Sequence, residues 1–169
     1  MARLPREVKA LGAVSLLNDT AGEMVVPLLP AFLTAVLRTG AQALGVIEGI
    51  AETTASLLKY AAGRWSDRLR SRKPLAVAGY TLSVLVRPLI GLAGAAWHVG
   101  ALRFADRVGK GIRTAPRDAL LAGVVAGEHR ARAFGLQRAM DHVGAVIGPL
   151  AAAALLLWPG LLRGRGAER

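Results

Sequence analysis

A short basic segment, from Gly63 to Pro74, constrains the fold more than any other part of the sequence. It carries five cationic side chains and separates two mostly apolar runs, residues 40–62 and 75–97. A run of about 20 apolar residues is long enough to cross the hydrocarbon core of a bilayer as an α-helix. Because cationic loops tend to stay in the cytoplasm, the pattern predicts a membrane hairpin with a cytoplasmic turn.

The composition also favours membrane helices. Of the 169 residues, 53% are hydrophobic but only 5% are aromatic, so small and aliphatic side chains make up the apolar part. Small side chains let membrane helices approach closely. The formal net charge of +11 is also compatible with a nucleic-acid binder. However, the cations lie in patches between apolar runs, without a series of aromatic residues for base stacking, so we expect no nucleic-acid partner.

The apolar runs predict an all-α integral membrane bundle within residues 1–160. Five spans are expected at about residues 8–37, 41–62, 75–96, 98–122 and 133–158, followed by a basic tail at residues 161–169. Pro27 and Pro30 lack backbone donors and predict a kink or an unwound turn in the first span. The distribution of cations predicts a multi-pass protein of the inner membrane with a cytoplasmic amino terminus. The tail cations then fall on the opposite side, from which we expect the chain to be part of a longer protein.

The fourth span is the least apolar, and its charged residues follow a helical pattern. Six of them lie within about 120° of the helix circumference. They are Arg103, Asp106, Arg107, Lys110, Arg113 and Arg117. A cation at the bilayer centre costs about 2.5 to 3.5 kcal/mol, so this face should point towards protein or water. Arg103, Lys110 and Arg113 could attract an anionic substrate there, or bind lipid head groups.

Two pairs of carboxylates lie one helical turn apart in the first two spans. Asp19 and Glu23 form one pair, and Glu48 and Glu52 form the other. Paired carboxylates in a low dielectric can bind and release protons near neutral pH, as the coupling site of a carrier must. Static pairing with Lys59 or with cations of the fourth span is an equally good interpretation.

Arg107, near the middle of the fourth span, is the best single candidate for a functional cation. A buried Arg must be paired, and it can tune the acidity of a neighbouring carboxylate. The structural alternative is an ion pair with Asp106 or with an acid of the second span.

Three motifs lie in order on the second, fourth and fifth spans. The segment Gly63-x-x-x-Asp67-Arg68-x-Arg70-Ser71-Arg72-Lys73 looks like G-x-x-x-D-R-x-G-R-R, with Arg70 and Ser71 as departures. Arg107-x-x-Lys110-Gly111 is similar to R-x-x-Q-G, and Gly135, Gly144, Gly148 and Pro149 follow the antiporter pattern G-x8-G-x3-G-P. Through these motifs, residues 10–158 resemble the amino-terminal half of a transporter of the major facilitator superfamily.

The resemblance implies a carrier that works by alternating access and exports a small molecule by proton coupling. It implies a gating loop formed by Gly63, Asp67, Arg68, Arg72 and Lys73, in which Asp67 stabilises the positive end of a neighbouring helix in one conformation. An ordinary solvated turn is the alternative. It implies close helix packing at Gly135, Gly144, Gly148 and Pro149. The implied partners are the lipid bilayer, a small-molecule substrate, protons and the second half of the carrier. Since alternating access needs two halves, we expect no transport by the 169 residues alone.

Two other classes of protein fit the sequence. One is a non-transporting membrane remnant or scaffold, and the other is a basic soluble helical protein whose fourth span is an amphipathic surface helix. The enzyme motifs G-x-S-x-G and H-E-x-x-H are absent, so we expect no enzymatic activity. The chain has no cysteine, and His98, His129 and His142 are scattered, so we expect neither a metal site nor a cofactor.

Overall fold

The computed structural model describes residues 4–40, 42–68 and 70–157, which fold into five α-helices. Helix α1 spans Arg6–Ala31, α2 Gln42–Ser66, α3 Lys73–Ile90, α4 Ala96–Val124 and α5 Arg130–Leu157. No strand occurs within the described ranges, so the predicted all-α fold is confirmed. The predicted tail at residues 161–169 and the predicted helix end at Trp158 lie outside the described residues.

Helix α1 passes through both of its prolines without interruption. The predicted irregularity lies just beyond them, as a π-helical segment at Phe32–Val36. The hydroxyl of Thr34 donates to the carbonyl oxygen of Pro30 at 2.8 Å. Arg38 follows this segment, and its φ of 51° is left-handed and turns the chain towards α2. The predicted turn at residues 38–40 therefore forms around a strained residue that is not glycine.

The boundaries around the basic segment differ from those predicted. Helix α2 continues to Ser66, so Gly63 lies in its last turn and not in the loop, while Lys73 is already the first residue of α3. The expectation that the third span reaches residue 96 was wrong, because α3 ends at Ile90. Residues 91–95 form turns, and Ala95 is extended with φ −153° and ψ 156°.

The connection between α4 and α5 is short. It is a 3-10 turn at Gly127–His129, and Arg130 already begins α5. Helix α4 is two residues longer at each end than the predicted span, and it continues through Pro116. Trp97 and His98 lie in the first turn of α4.

The helices form two packed groups joined through α1. Helix α4 packs along both α2 and α3, whereas α1 packs along α5 and makes smaller contacts with α3 and α4. A Cβ atom added to Gly109 would lie 2.7 Å from the carbonyl oxygen of Gly79, and one added to Gly111 would lie 2.7 Å from the Cβ of Leu58. Glycine is therefore required where α4 crosses its two neighbours.

The crossing of α1 and α5 uses two of the predicted packing residues. A Cβ atom on Gly144 would lie 2.8 Å from the carbonyl oxygen of Leu16, and one on Gly148 would lie 2.7 Å from that of Thr20. Gly135 is different, because a Cβ atom there would meet no described atom within 4 Å. Pro149 lies within α5, which continues past it.

The distribution of polarity is the reverse of that in a water-soluble bundle. Large apolar side chains face outwards, such as Leu57 at 68% exposure and Leu17 at 70%, whereas Arg103 and Arg113 are among the largest fully buried side chains. Two segments, Arg6–Val36 and Gly127–Leu157, are long and apolar enough to cross a membrane. The charges of α2 and α4 interrupt the apolar character of those helices, but many of them point inwards.

Candidate functional site

The charged stripe of α4 forms the polar interior of the bundle. Arg103, Asp106, Arg107, Arg113 and Arg117 are all buried, and Lys110 is partly buried. From Arg103 to Arg117 the stripe is about 21 Å long at the rise of an α-helix, so it occupies most of the thickness of a hydrocarbon core. The sequence interpretation that this face points away from lipid agrees with the placement of these residues.

The amino-terminal part of the stripe, around Arg103, is bound to α2. The Nε and Nη2 atoms of Arg103 donate to the two carboxylate oxygens of Glu48 at 2.6 and 2.7 Å. The third nitrogen, Nη1, lies 3.5 Å from a carboxylate oxygen of Asp106. Two parallel hydrogen bonds of this kind fix a guanidinium group in one orientation. Glu48 is thus engaged by a cation of α4 and not by the acid one turn away.

Arg107 contacts both Glu48 and Glu52 of α2. Its Nη2 atom lies 3.7 Å from Glu48, and its Nε atom lies 3.4 Å from Glu52. The proposed pairing of Arg107 with Asp106 does not form, because Asp106 faces Arg87 and Arg103. The proposed pairing with an acid of the second span does form, with longer distances than at Arg103.

Arg87 of α3 ties three helices together, and its role was not found from the sequence. Its Nε atom donates to Asp106 at 2.9 Å, and its Nη1 atom donates to the backbone and side-chain oxygens of Asn18 at 2.6 and 3.1 Å. The guanidinium fits because residue 22 is glycine, where a Cβ atom would lie 3.0 Å from Nη2 of Arg87. The available signal was a lone cation inside an apolar span, which has to be paired.

The network continues from Asn18 to its neighbour Asp19. The amide of Asn18 donates to Asp19 at 3.3 Å, and Nη2 of Arg113 donates to the same carboxylate oxygen at 2.8 Å. Asp19 is therefore paired with α4 and not with Glu23. Glu23 itself has no ion pair among the described residues and lies where α1 crosses α5, beside Gly148.

The carboxyl-terminal part of the stripe, around Arg117, is bound to α1 and α5. Arg117 donates to Asp118 at 2.8 and 3.0 Å, to the hydroxyl of Ser15 at 2.9 Å, and to Asp141 at 3.4 Å. Gln137 donates to the same Asp141 at 2.9 Å. Sequence reasoning missed these partners, since their polar character alone did not show which helix they face.

A polar cavity of about 200 Å³ lies beside the stripe, between α1, α2, α4 and α5. Five cationic side chains line it, namely Lys59, Lys110, Arg113, Arg117 and Arg138, together with three carboxylates, Asp19, Glu52 and Asp141. The remaining wall is formed by small residues that include Ser56, Gly111 and Thr114. A cavity with these walls can hold a small polar solute within the bundle.

The predicted gating loop lies away from this cavity. Asp67 and Arg72 form an exposed ion pair at 3.2 Å, and the side chain of Asp67 is 72% exposed. Arg68 is exposed as well, and Gly63 packs on Ala115 of α4. Within the described residues, Asp67 contacts its own loop, and its predicted role at the end of another helix stays a prediction.

A metal site is not formed by the described residues, in which no group of three or more His, Asp or Glu side chains could hold an ion. His129 lies 3.5 Å from Glu128 in the turn between α4 and α5, and His98 lies against the ring of Trp97.

The sequence matches the family model for the Major Facilitator Superfamily over residues 11–163. It is 38% identical over 157 residues to an uncharacterized MFS-type transporter of Methanocaldococcus jannaschii, a match that covers 92% of this chain and 38% of that protein. It is 39% identical over 151 residues to an uncharacterized protein of Mycobacterium tuberculosis strain H37Rv, covering 89% of this chain and 37% of that protein. The chain thus spans less than two thirds of the length of these relatives.

Proposed function

The chain belongs to the major facilitator superfamily, and we propose that it forms part of a multi-pass carrier that moves a small solute across a membrane by alternating access. The observation that carries the proposal is the polar cavity beside the α4 stripe, enclosed by helices whose outer faces are apolar. A membrane scaffold needs no such cavity, because charges in a membrane interior are costly unless a pathway uses them. The function is movement of a solute, with no chemical step.

The buried ion pairs support this proposal through their different strengths. Arg103 and Glu48 are held by two short hydrogen bonds, whereas Arg107 lies 3.4 to 3.7 Å from its two acids. Glu52 is also 60% exposed. The first pair suits a fixed part of the bundle. The second can exchange partners, as a group that changes its surroundings between two conformations must do.

Proton coupling is part of the proposal, and Glu23 is its best candidate residue. Asp19, Glu48 and Glu52 each contact an arginine, so each of them already has a charged partner. Glu23 has no such partner in the described part of the chain and lies near the middle of the first span. An ionisable residue within a membrane span that has no ion-pair partner is a candidate for a group on a proton pathway.

We further propose the orientation that the cationic loops favour, with the amino terminus in the cytoplasm of an inner-membrane protein, and export as the direction of transport. The antiporter-like glycines of α5 support export by analogy, since two of them allow the close crossing with α1. A second helical half is the proposed partner, because alternating access requires two halves that rock about a shared site.

Transport can be tested with a chimera in which this chain replaces the matching region of the Methanocaldococcus relative. The chimera is reconstituted in liposomes that contain a pH-sensitive dye, and a panel of small solutes is added. We expect at least one solute to drive proton movement, while the 169 residues alone give none. If the relative moves a solute under these conditions and the chimera neither moves it nor binds it, the chain is not a working carrier half.

The coupling residue is tested in the same liposomes. We expect Glu23→Gln to abolish solute-driven proton movement, because the amide cannot bind the transported proton, while solute binding persists. Glu7→Gln is the matched control, since Glu7 is an exposed acid in the first turn of the same helix. Equal proton movement by the Glu23→Gln variant and the unmodified chimera would assign coupling to another group.

A further inference from the structure

We propose that the cavity binds a small anion that carries a carboxylate or phosphate group. The proposal rests on the proposed transport function and names the class of its substrate. Some charged groups around the cavity already have partners within the protein and others do not, and this difference favours the binding of an anion.

Each carboxylate of the cavity wall is already occupied by an arginine. Asp19 accepts from Arg113 at 2.8 Å, Glu52 lies 3.4 Å from Arg107, and Asp141 lies 3.4 Å from Arg117. Asp19 and Asp141, whose side chains are 18% and 15% exposed, are therefore poorly placed to bind a cationic solute, whereas Glu52 is 60% exposed. The pairing of these carboxylates with arginines therefore disfavours a cationic ligand in the cavity.

Three cations of the wall have no such partner. Lys59, Lys110 and Arg138 line the cavity, and none forms an ion pair with a carboxylate among the described residues. They come from α2, α4 and α5, so they approach the cavity from three different directions. Lys110 is partly buried, whereas Lys59 and Arg138 are exposed where they line the cavity. An anion held between the three cations would give each of them a counter-charge.

Arg113 adds donors that the protein leaves unused. Its side chain is only 2% exposed, and its Nη2 atom is bound to Asp19. The Nε and Nη1 atoms have no hydrogen-bond partner within the described structure, and the ring of Tyr80 lies 4.5 Å from the guanidinium carbon. Because an arginine stays charged in a protein, these donors need an acceptor. A bound anion is one that a small shift of the side chain can reach.

The size of the cavity and its surroundings define the ligand further. An apolar cavity of about 150 Å³ holds benzene, so the 200 Å³ cavity has room for a small organic anion. A groove that includes Ser56, Lys59, Arg64 and Asp118 adjoins it and follows α2 towards the basic loop. Asp118 accepts from Arg117 at 2.8 Å, so Lys59 and Arg64 are the charges of the groove without a carboxylate partner among the described residues. Cations along this path would attract anions to the cavity from the loop side.

The phosphate of a lipid head group presents the same chemistry as a free anion. A free solute can be exchanged with water, whereas a lipid is supplied by the bilayer. Reconstitution into nanodiscs that contain either a neutral glycolipid or the same lipid with added phosphatidylglycerol separates these two sources.

The test is equilibrium binding to the 169-residue chain in both kinds of nanodisc. The probes are inorganic phosphate, succinate, its neutral analogue succinamide, and the dication putrescine. We expect saturable binding of phosphate or succinate in neutral nanodiscs and none of succinamide or putrescine. The affinity should fall at least about tenfold in Lys110→Gln and in Arg138→Gln. It should change less than about twofold in Lys9→Gln, which removes one exposed cation outside the cavity.

Each outcome decides the proposal. Tight binding of putrescine, equal binding of succinamide, or binding that requires phosphatidylglycerol would overturn it, as would unchanged affinity in both cavity variants. If a variant fails to fold, the comparison of succinate with succinamide on the unmodified chain still decides the matter. Anion binding without transport by the chimera would refute the transport function alone, and transport of neutral or cationic solutes alone would refute the anion site alone.

Discussion

Arg103 is fully buried in the bundle, and Glu48 of α2 accepts from it with both carboxylate oxygens. The next acid on the same helix, Glu52, is 60% exposed and makes one longer contact with Arg107. Two carboxylates one turn apart thus have different surroundings, and these surroundings determine what each can contribute. The sequence treats them as equivalent.

Removing Glu48, the partner of a fully buried arginine, should be far more costly than removing Glu52. We expect Glu48→Gln to lower the free energy of unfolding by about 3 kcal/mol or more, because Arg103 would lose its main counter-charge in a buried position. Glu52→Gln should lower it by less than about 1 kcal/mol, as for an exposed pair. Denaturant unfolding of both variants in detergent, followed by loss of helical signal, measures the difference. Equal losses would show that the Arg103 pair does not stabilise the bundle.

The identity of the charged residues was readable from the sequence, but most of their pairings were not; the pairing of Arg107 with an acid of the second span is the exception. Helical spacing placed Arg103, Arg107 and Arg113 on one face and required that face to be shielded from lipid. Spacing says nothing about distant partners, and Arg87 reaches Asn18 across 69 positions. Such contacts depend on how the helices are rotated and staggered, which only their packing fixes.

At the scale of helices, glycine positions decide how closely the elements can approach. Gly109 and Gly111 let α4 contact α3 and α2, and Gly144 and Gly148 let α1 contact α5. These close crossings bring the charged stripe within reach of acids on α1 and α2. Packing by small residues is therefore a precondition for the ion pairs.

Two glycines of α5 allow a matched test. We expect Gly148→Ala to destabilise the bundle by about 1 to 3 kcal/mol, because the new Cβ would lie 2.7 Å from the carbonyl oxygen of Thr20. Gly135→Ala should be neutral or stabilising by up to about 1 kcal/mol, since that position is open and alanine favours the helix. Thermal unfolding of the two variants gives the comparison. A larger loss at Gly135 would contradict the crossing of α1 and α5.

The sequence predicted the five helices and missed several of their ends. The limits of α4 were correct to two residues, because its charge pattern is strongly periodic. The predicted end of α3 was wrong because residues 91–95 have no charged side chain, and hydropathy alone does not show that they form turns. The prolines of α1 marked the right region, but the helix responds with a π-helical segment after them and not with a break at them.

At the scale of the whole molecule, we propose that lipid covers the apolar outer faces of the helices and that water reaches the polar cavity between them. Leu57 and Ser56 are neighbours on α2 and represent these two environments. Leu57 is 68% exposed on the outer surface, whereas Ser56 lines the polar cavity. A soluble bundle would leave both positions open to water, because both residues are exposed on the protein surface.

The chain contains no cysteine, so a single introduced thiol reports on its own position alone. The most direct measurement is the rate at which a membrane-impermeant methanethiosulfonate labels Ser56→Cys and Leu57→Cys in reconstituted membranes. We expect the cysteine at position 56 to react readily through the polar cavity and the cysteine at position 57 to stay protected by lipid. Labelling of position 57 as fast as position 56 would contradict the membrane bundle and the water-filled cavity on which the proposed function depends.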